Sequence, residues 1–505
     1  MPKILVHEKA LAHLSRGLYR SPASALRELV SNGWDANATT ARITTNYPNF
    51  FQLSVDDNGD GFSRNDFSRL MGGGIGNSDK RPQQRALIND RPVIGRLGIG
   101  MLGIAQICGA FTITSKMKDG TGFRARVNLY DLLKQKLDRD DPEVVTAKEV
   151  DVGTYEFDEK FDLSRAKRGT SIVADDVHPT FVRAFQQSLQ APKFKEPPRD
   201  WRKALEVFSS VHTIQELGDY WRLLWELSAS CPIPYVSSTA VPNGLVRDEQ
   251  EKLESYNFKV IVDGIELHKP VWLKGNPGGY TARPIPEERL TPYGNTVRFH
   301  GYIAVQEGIQ LYPDELRGLL VRIKNVAIGY YDPSMLDYRY NEGPRSRWLT
   351  GEIFVTEGLE DALNIDRDSF NRFHPQFRAI QEYVHKVLQD DVFPAVYKQI
   401  DVRSNARAEV RRVARTDHLS KVLSSVTAER VAIKRAGSRK EVVVKKSSRG
   451  IDVSLPAEEQ LPTKKTNRPL AAAILAIFEL AMKESDPQRK REVFREALLE
   501  LLAKW

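Results

Sequence analysis

The sequence predicts an α+β fold: a helix-and-sheet sandwich, then a second α/β domain, then a helical C-terminal region. Three observations carry this. Amphipathic helical spacing between residues 21 and 36 is followed by two strand-like alternating runs, 41–45 and 51–55. Glycine-rich stretches sit where helices and strands meet, at 59–61, 72–76 and 95–103. Strand patterns return at 258–262, 296–303 and 318–328, before a helical pattern over 378–400. A chain of 505 residues is long enough for about three domains.

Leu11, Leu14 and Leu18 place a first helix over 5–20. Ser21-Pro22 starts the next one, because serine caps free amides and proline fits the first turn, where no donor is needed. Along it Glu28, Asn32 and Asp35 fall at i, i+4 and i+7, on one face, with Leu26, Leu29, Val30 and Gly33 on the others. A carboxylate, an amide and a second carboxylate in one stripe can hold a metal ion and a water. The same stripe also suits a plain amphipathic surface helix. The strand ending at Val55 runs into Asp56-Asp57-Asn58-Gly59-Asp60-Gly61, so Asp57 stands at a strand end in strong turn chemistry.

Ser63 and Asp66 form a capping pattern for a short helix. Gly72, Gly73, Gly74 and Gly76 supply hinges rather than core. Gly98, Gly100 and Gly103 match the spacing of a dinucleotide fingerprint, but Asp119, the acid downstream, sits in a Lys-Asp-Gly turn rather than at a strand end. The physical role is similar: successive amides at the start of a helix over 101–108 cradle phosphates. Strands follow at 111–116, 122–129 and 169–173, and helices over 180–235 with Trp201, Trp221, Leu223, Leu224 and Trp225 as core.

The Glu28–Asp35 box, the Asp57-x-Gly59-x-Gly61 turn and the Gly95–Met101 box, in this order, resemble the GHKL ATPases of the Bergerat fold. That family groups the ninety-kilodalton heat-shock chaperones, DNA gyrase, MutL, Morc and the sensor histidine kinases. The resemblance implies ATP and Mg2+ as ligands, with Glu28 as general base toward the attacking water, Asn32 as metal ligand and Asp35 beside the nucleotide. It implies that Asp57 accepts a hydrogen bond from the adenine amino group, with Gly59 and Gly61 letting the backbone approach the ring. It makes 71–94 a lid in which Lys80 can reach a phosphate, or is simply solvated. Gly95, Leu97, Gly98, Ile99, Gly100 and Met101 become the phosphate cradle, and Thr170 lies near the adenine. A later run, 321–326 through 351–355 to 363–368, resembles the middle domain of the heat-shock chaperones. It implies Arg367 as the residue that senses the γ-phosphate, although Asp366 stands where that family has serine. The alternative for Arg367 is a surface ion pair.

The expected domains are therefore 1–180, an ATP-binding Bergerat sandwich; 181–240, a helical extension; 241–400, a transducer-like middle domain; 401–467, a basic linker; and 468–505, a helical hairpin that packs on another domain or another copy. Two cysteines, Cys108 and Cys231, make no disulfide framework and fit a reducing, cytoplasmic setting. The apolar run 470–482 contains Glu479 and is too short to span a bilayer, so no membrane partner is expected.

Of the net charge of +8, residues 401–449 alone contribute +9, from fourteen Lys/Arg against five Asp/Glu. The reading is an ATP-hydrolysing switch that closes and homodimerises on ATP. Its output stays open between DNA, touched through 401–449, and a protein partner in a chaperone-like role; a nucleotide-sensing module with little turnover is the third possibility.

Overall fold

The structure, a computed structural model, describes residues 3–7, 21–75, 91–95, 100–129, 149–189, 198, 200–236, 245–270, 280–306, 310–340, 342–364, 368–427, 429–435, 442–455 and 468–504. It divides into two compact units, Met1–Val392 and Phe393–Trp505.

The first unit begins with β1 (Lys3–His7), where a helix was expected over 5–20; residues 8–20 lie outside the described residues. Helix α1 (Pro22–Asp35) starts as its sequence requires, with the Ser21 hydroxyl accepting from the Ser24 amide at 3.3 Å and proline in the first turn. Its apolar side chains Leu26, Leu29, Val30 and Trp34 enter the core.

The strands β2 (Thr40–Thr44) and β3 (Leu53–Asp57), helix α2 (Arg64–Met71) and strand β4 (Gly72–Ile75) follow. Then come β5 (Ala110–Lys116), β6 (Gly122–Leu129), β7 (Glu149–Phe157) and β8 (Gly169–Ala174). Two of these places differ from expectation. Gly72–Ile75, read as lid hinge, pairs in parallel with β1, and Gly100–Gln106 forms a 3-10 turn where an α-helix was expected. The remaining lid residues 76–90, Lys80 among them, lie outside the described residues.

Helices α3 (Pro179–Ser188), α4 (Trp201–Phe208) and α5 (Asp219–Ser230) supply the expected aromatic core, and α6 (Arg247–Ser255) leads to β9 (Lys259–Val262) and β10 (Ile265–Glu266). One ten-stranded sheet runs β10-β9-β2-β3-β8-β5-β6-β7-β1-β4; it is antiparallel except at β1–β4 and β2–β9.

By its place in the sequence, 258–262 belongs to the expected second domain. Instead β9 pairs in parallel with Thr40–Ile43, and the side chains of Val260 and Val262 are fully buried. Alternation shows that a strand forms; only long-range burial decides which sheet it joins.

A second, five-stranded sheet has the order β11-β12-β15-β13-β14, from β11 (Tyr280–Leu290), β12 (Val297–Gln306), β13 (Gly318–Ile323), β14 (Val326–Asp332) and β15 (Leu349–Glu357). The run 318–328, expected as one strand, is a tight hairpin. Its turn residues Lys324 and Asn325 take φ of 51° and 67°. Asparagine tolerates this left-handed conformation better than most residues. One buried apolar cluster continues from the first sheet through α5 to Tyr302, Leu320, Ala327 and Phe354 of the second. Helix α7 (Pro375–Val387) ends this unit's regular α-structure.

The second unit corrects the expected linker. Helix α8 (Phe393–Thr427) runs through the basic stretch, and β16 (Val431–Arg435), β17 (Val443–Ser447) and β18 (Gly450–Leu455) form a small sheet in the order β16-β18-β17. Leu419, Val422, Leu423 and Val426 fall at i, i+3, i+4 and i+7, and Ile451, Val453 and Leu455 alternate. The low overall apolar content hid both patterns. Helices α9 (Arg468–Met482) and α10 (Pro487–Lys504) form the expected hairpin, and it packs into this same core through Ala476, Ile477, Val493, Ala497 and Leu501.

Candidate functional site

The site is built where α1 crosses the end of β3. Asp57 closes the strand, and its Oδ1 accepts from the Gly59 amide at 2.8 Å and from the Thr170 amide at 3.3 Å. Burial pushes its carboxyl up to about 6, the two amides pull it back, and the neighbouring charges of Asp56 and Asp60 add to the rise. A cavity of about 210 Å³ opens over it, walled by Leu29, Ala36, Val55, Phe62, Leu70, Ile113 and Ile172, with Asn32, Asp57, Asp66 and Thr170 as its polar groups. A carboxylate fixed among apolar walls can accept a hydrogen bond from an amino group on a flat ring, and little else in the slot competes for it.

Three close approaches make this floor. A Cβ on Gly33 would lie 3.0 Å from the Asp57 Cβ, and one on Gly59 2.5 Å from the Ala36 carbonyl oxygen. Gly61 has φ of 64° against the Lys116 carbonyl, a conformation that favours glycine. Gly33 is a site residue that spacing alone assigned to the far side of the helix. The available signal was a glycine inside a helix, which costs about 1 kcal/mol relative to alanine and so calls for a packing reason.

Asp35 works through the backbone. Its Oδ1 accepts from the Ile94 amide at 2.8 Å and its Oδ2 from the Gly95 amide at 2.6 Å, holding the chain just as it enters the glycine box. Trp34 donates to the Pro92 carbonyl at 2.9 Å, and the Arg91 guanidinium stacks 5.0 Å from the Trp34 ring while donating to the Ala38 carbonyl at 2.7 Å. Neither Trp34 nor Arg91 was legible as a site residue. Leu97, Gly98 and Ile99 lie outside the described residues; Gly100 and Met101 begin the 3-10 turn.

Glu28 and Asn32 are brought to the same helix face, as the spacing requires, yet they differ sharply: Glu28 is 6% exposed, while Asn32 is exposed. Distant chain reaches the residues beside Glu28. Arg27, also buried, donates Nη2 to Glu28 Oε1 at 3.4 Å and Nη1 to Asp368 Oδ1 at 2.8 Å. Asp368 Oδ2 accepts from the Ser24 hydroxyl at 2.9 Å. Burial alone would lower the guanidinium's pKa; the charges of Asp368 and Glu28 outweigh it and hold Arg27 charged. Arg367 lies outside the described residues, but its neighbour Asp368 is thus pinned to the helix that carries Glu28.

A second reach comes from the hairpin turn, where Lys324 Nζ donates to the Val93 carbonyl at 3.0 Å and pairs with Glu360 at 3.0 Å. Among the described residues there is no cluster of three His, Cys, Asp or Glu side chains able to hold a metal alone. Both cysteine thiols are buried and pushed up to about 12, which makes them poor nucleophiles.

Comparison with known proteins agrees with this geometry. Residues 19–157 match the family described as histidine kinase-, DNA gyrase B-, and HSP90-like ATPase. They are thus similar to a GHKL-type ATPase domain, and that stretch holds the α1 face, the Asp57 turn and the glycine box. The chain is also similar to the protein named as type II restriction enzyme HgiDII of Herpetosiphon aurantiacus, at 36% identity over 114 residues. The match spans 22% of this chain and 17% of that relative. No described helix is long and apolar enough to cross a membrane.

Proposed function

We propose that the chain is an ATP-hydrolysing conformational switch whose acted-on partner is nucleic acid. The observation that carries the ATP reading is the Asp57 carboxylate at the floor of an apolar slot that Leu29 and Asn32 of α1 help to wall. Asp57 binds the adenine amino group, with Thr170 beside it and Gly33, Gly59 and Gly61 leaving room for the ring. Asp35 holds the Ile94 and Gly95 amides, which anchors the entry to the glycine box; in this reading the box after Gly95, through to Met101, serves as the phosphate cradle.

Glu28 acts as general base toward the attacking water, its carboxylate oriented by Arg27. Asn32, exposed one turn further along the same face, would hold Mg2+ together with the phosphates and water, as suits an ion that takes few protein ligands. When bound, that ion offsets charge developing on the phosphate oxygens. Little covalent chemistry falls to the protein, so positioning and electrostatics carry the rate.

Coupling follows from the reach of the second sheet. Asp368 on Arg27 and Lys324 on Val93 tie that region to both ends of the site, and Arg367 senses the γ-phosphate in the closed state. ATP and ADP then differ in their preference for closure, as a switch requires. In this reading the ATP-bound form dimerises, as in the heat-shock chaperone, MutL and Morc group that the sequence resembles. The concentration of positive charge after residue 401, with the relative named as a restriction enzyme, supports nucleic acid as the partner.

Glu28→Gln tests the mechanism. It should bind ATP with the parent's affinity by calorimetry and release phosphate about 10²–10⁴-fold more slowly. Parent-like turnover would remove Glu28 from the reaction.

A further inference from the structure

The net positive charge of this protein resides in its second unit. Phe393–Trp505 carries twenty-four Lys/Arg against fourteen Asp/Glu, a balance of +10, while the first unit stands at −2. Within the second unit the basic side chains have a register. Arg407, Arg411 and Arg415 stand at i, i+4 and i+8 of α8, so they share one side of the helix, and Arg403 continues the step in the sequence. At 1.5 Å of rise per residue the steps are about 6 Å and the three span about 12 Å. Glu409, the acid within this stretch, falls about 120° or more around the helix from all three.

This part of α8 is open to solvent. Every described side chain from 406 to 415 is exposed, and the second unit's core cluster takes in α8 from Leu419 onward. Val410 and Val413 are 70% and 51% exposed. A helix bare on its described sides, with guanidinium groups at regular steps, matches a partner that is itself a regular array of negative charge. Guanidinium groups bind phosphate oxygens bidentately and stay charged at any working pH. An α-helix of ordinary diameter enters the major groove of duplex DNA.

We propose that Arg407, Arg411 and Arg415 form a ladder on α8 that grips the phosphate backbone of double-stranded DNA. This rests on the reading of nucleic acid as partner and names its contact surface. The rival occupant of the same segment is a second copy of α8, packed through Val410 and Val413.

The test is fluorescence anisotropy of a short mixed-sequence DNA duplex with the full chain, titrated between about 50 and 200 mM salt. The parent should bind with a steep salt dependence. The triple variant Arg407→Gln, Arg411→Gln, Arg415→Gln should lose about 0.9 from the log–log slope per arginine, about 2.7 in all. Over that fourfold salt range the loss removes about a forty-fold change in affinity. The triple Arg→Lys variant should keep the slope, and ATP turnover without DNA should match the parent in both.

A parent that binds while the glutamine variant keeps its slope overturns the ladder and leaves the nucleic-acid reading standing. A parent that fails to bind at low salt overturns both, without touching the ATP reading. If Val410→Asp with Val413→Asp converts a dimer to a monomer while the glutamine variant binds DNA like the parent, the segment is an interface between copies.

Discussion

Removing the Asp368 carboxylate should separate catalysis from nucleotide binding at one point. Asp368 lies 341 residues from Arg27 in sequence and meets it at 2.8 Å, with both side chains almost wholly buried. At an effective dielectric of about 20, that separation corresponds to about 6 kcal/mol of attraction, much of it offset by desolvation. Breaking a buried pair by deleting one partner costs about 3–5 kcal/mol. Here the lower end applies, because Glu28 at 3.4 Å remains as a second partner for the guanidinium.

The same fact carries the functional consequence. In Asp368→Ala, Arg27 has Glu28 as its remaining acidic neighbour and draws that carboxylate into a full ion pair, away from water. The expected outcome is a loss of about 3 kcal/mol in urea unfolding, turnover reduced at least tenfold and ATP affinity close to the parent's. A double-mutant cycle with Arg27→Met should return a coupling energy well above that of an exposed pair, which is about 1 kcal/mol or less. Parent-like stability and turnover in Asp368→Ala would refute the argument, since no buried charge would then have lost its partner.

Two further outcomes are expected. Asp57 is an acid whose carboxyl is raised to about 6 from 3.8, so between about pH 4 and 6 the folded chain holds a proton that the unfolded chain releases. The stability from this group is therefore full below about pH 4 and is lost as pH rises through 6, about 3 kcal/mol in all, read as the difference between parent and Asp57→Asn in unfolding curves. For ATP the sign reverses, because adenine needs the ionised acceptor: affinity by calorimetry should fall about tenfold per pH unit below 6, and Asp57→Asn should flatten that dependence. Gly33→Ala should keep the fold, since alanine favours the helix by about 1 kcal/mol, yet weaken ATP binding about fivefold to a hundred-fold. Its Cβ would press on Asp57 at 3.0 Å, and unchanged affinity in calorimetry would take Gly33 out of the site.

Features that depend on residues close together in the chain are legible without the structure. The Ser21-Pro22 start of α1, the shared face of Glu28 and Asn32, and the strand-end place of Asp57 follow from 3.6- and 2-residue periods and from cap and turn chemistry. So does the mixed α+β class. Which distant groups meet is settled by packing alone. Periodicity carries no information on sheet membership: the strand at 258–262 reads as the start of the second domain, whereas it pairs with Thr40–Ile43 of β2 and buries Val260 and Val262 there. A sparse apolar stripe at 419–426 looked like a linker because its partners, Ile477 and Leu501 among them, come from the far end of the chain. Glu28 reads as one member of a polar stripe, yet it is buried beside Arg27, whose guanidinium is held in turn by Asp368 from distant chain. Buried charges need partners, and the chain can supply them from any distance in sequence; local spacing cannot reveal that supply, whereas packing must satisfy it.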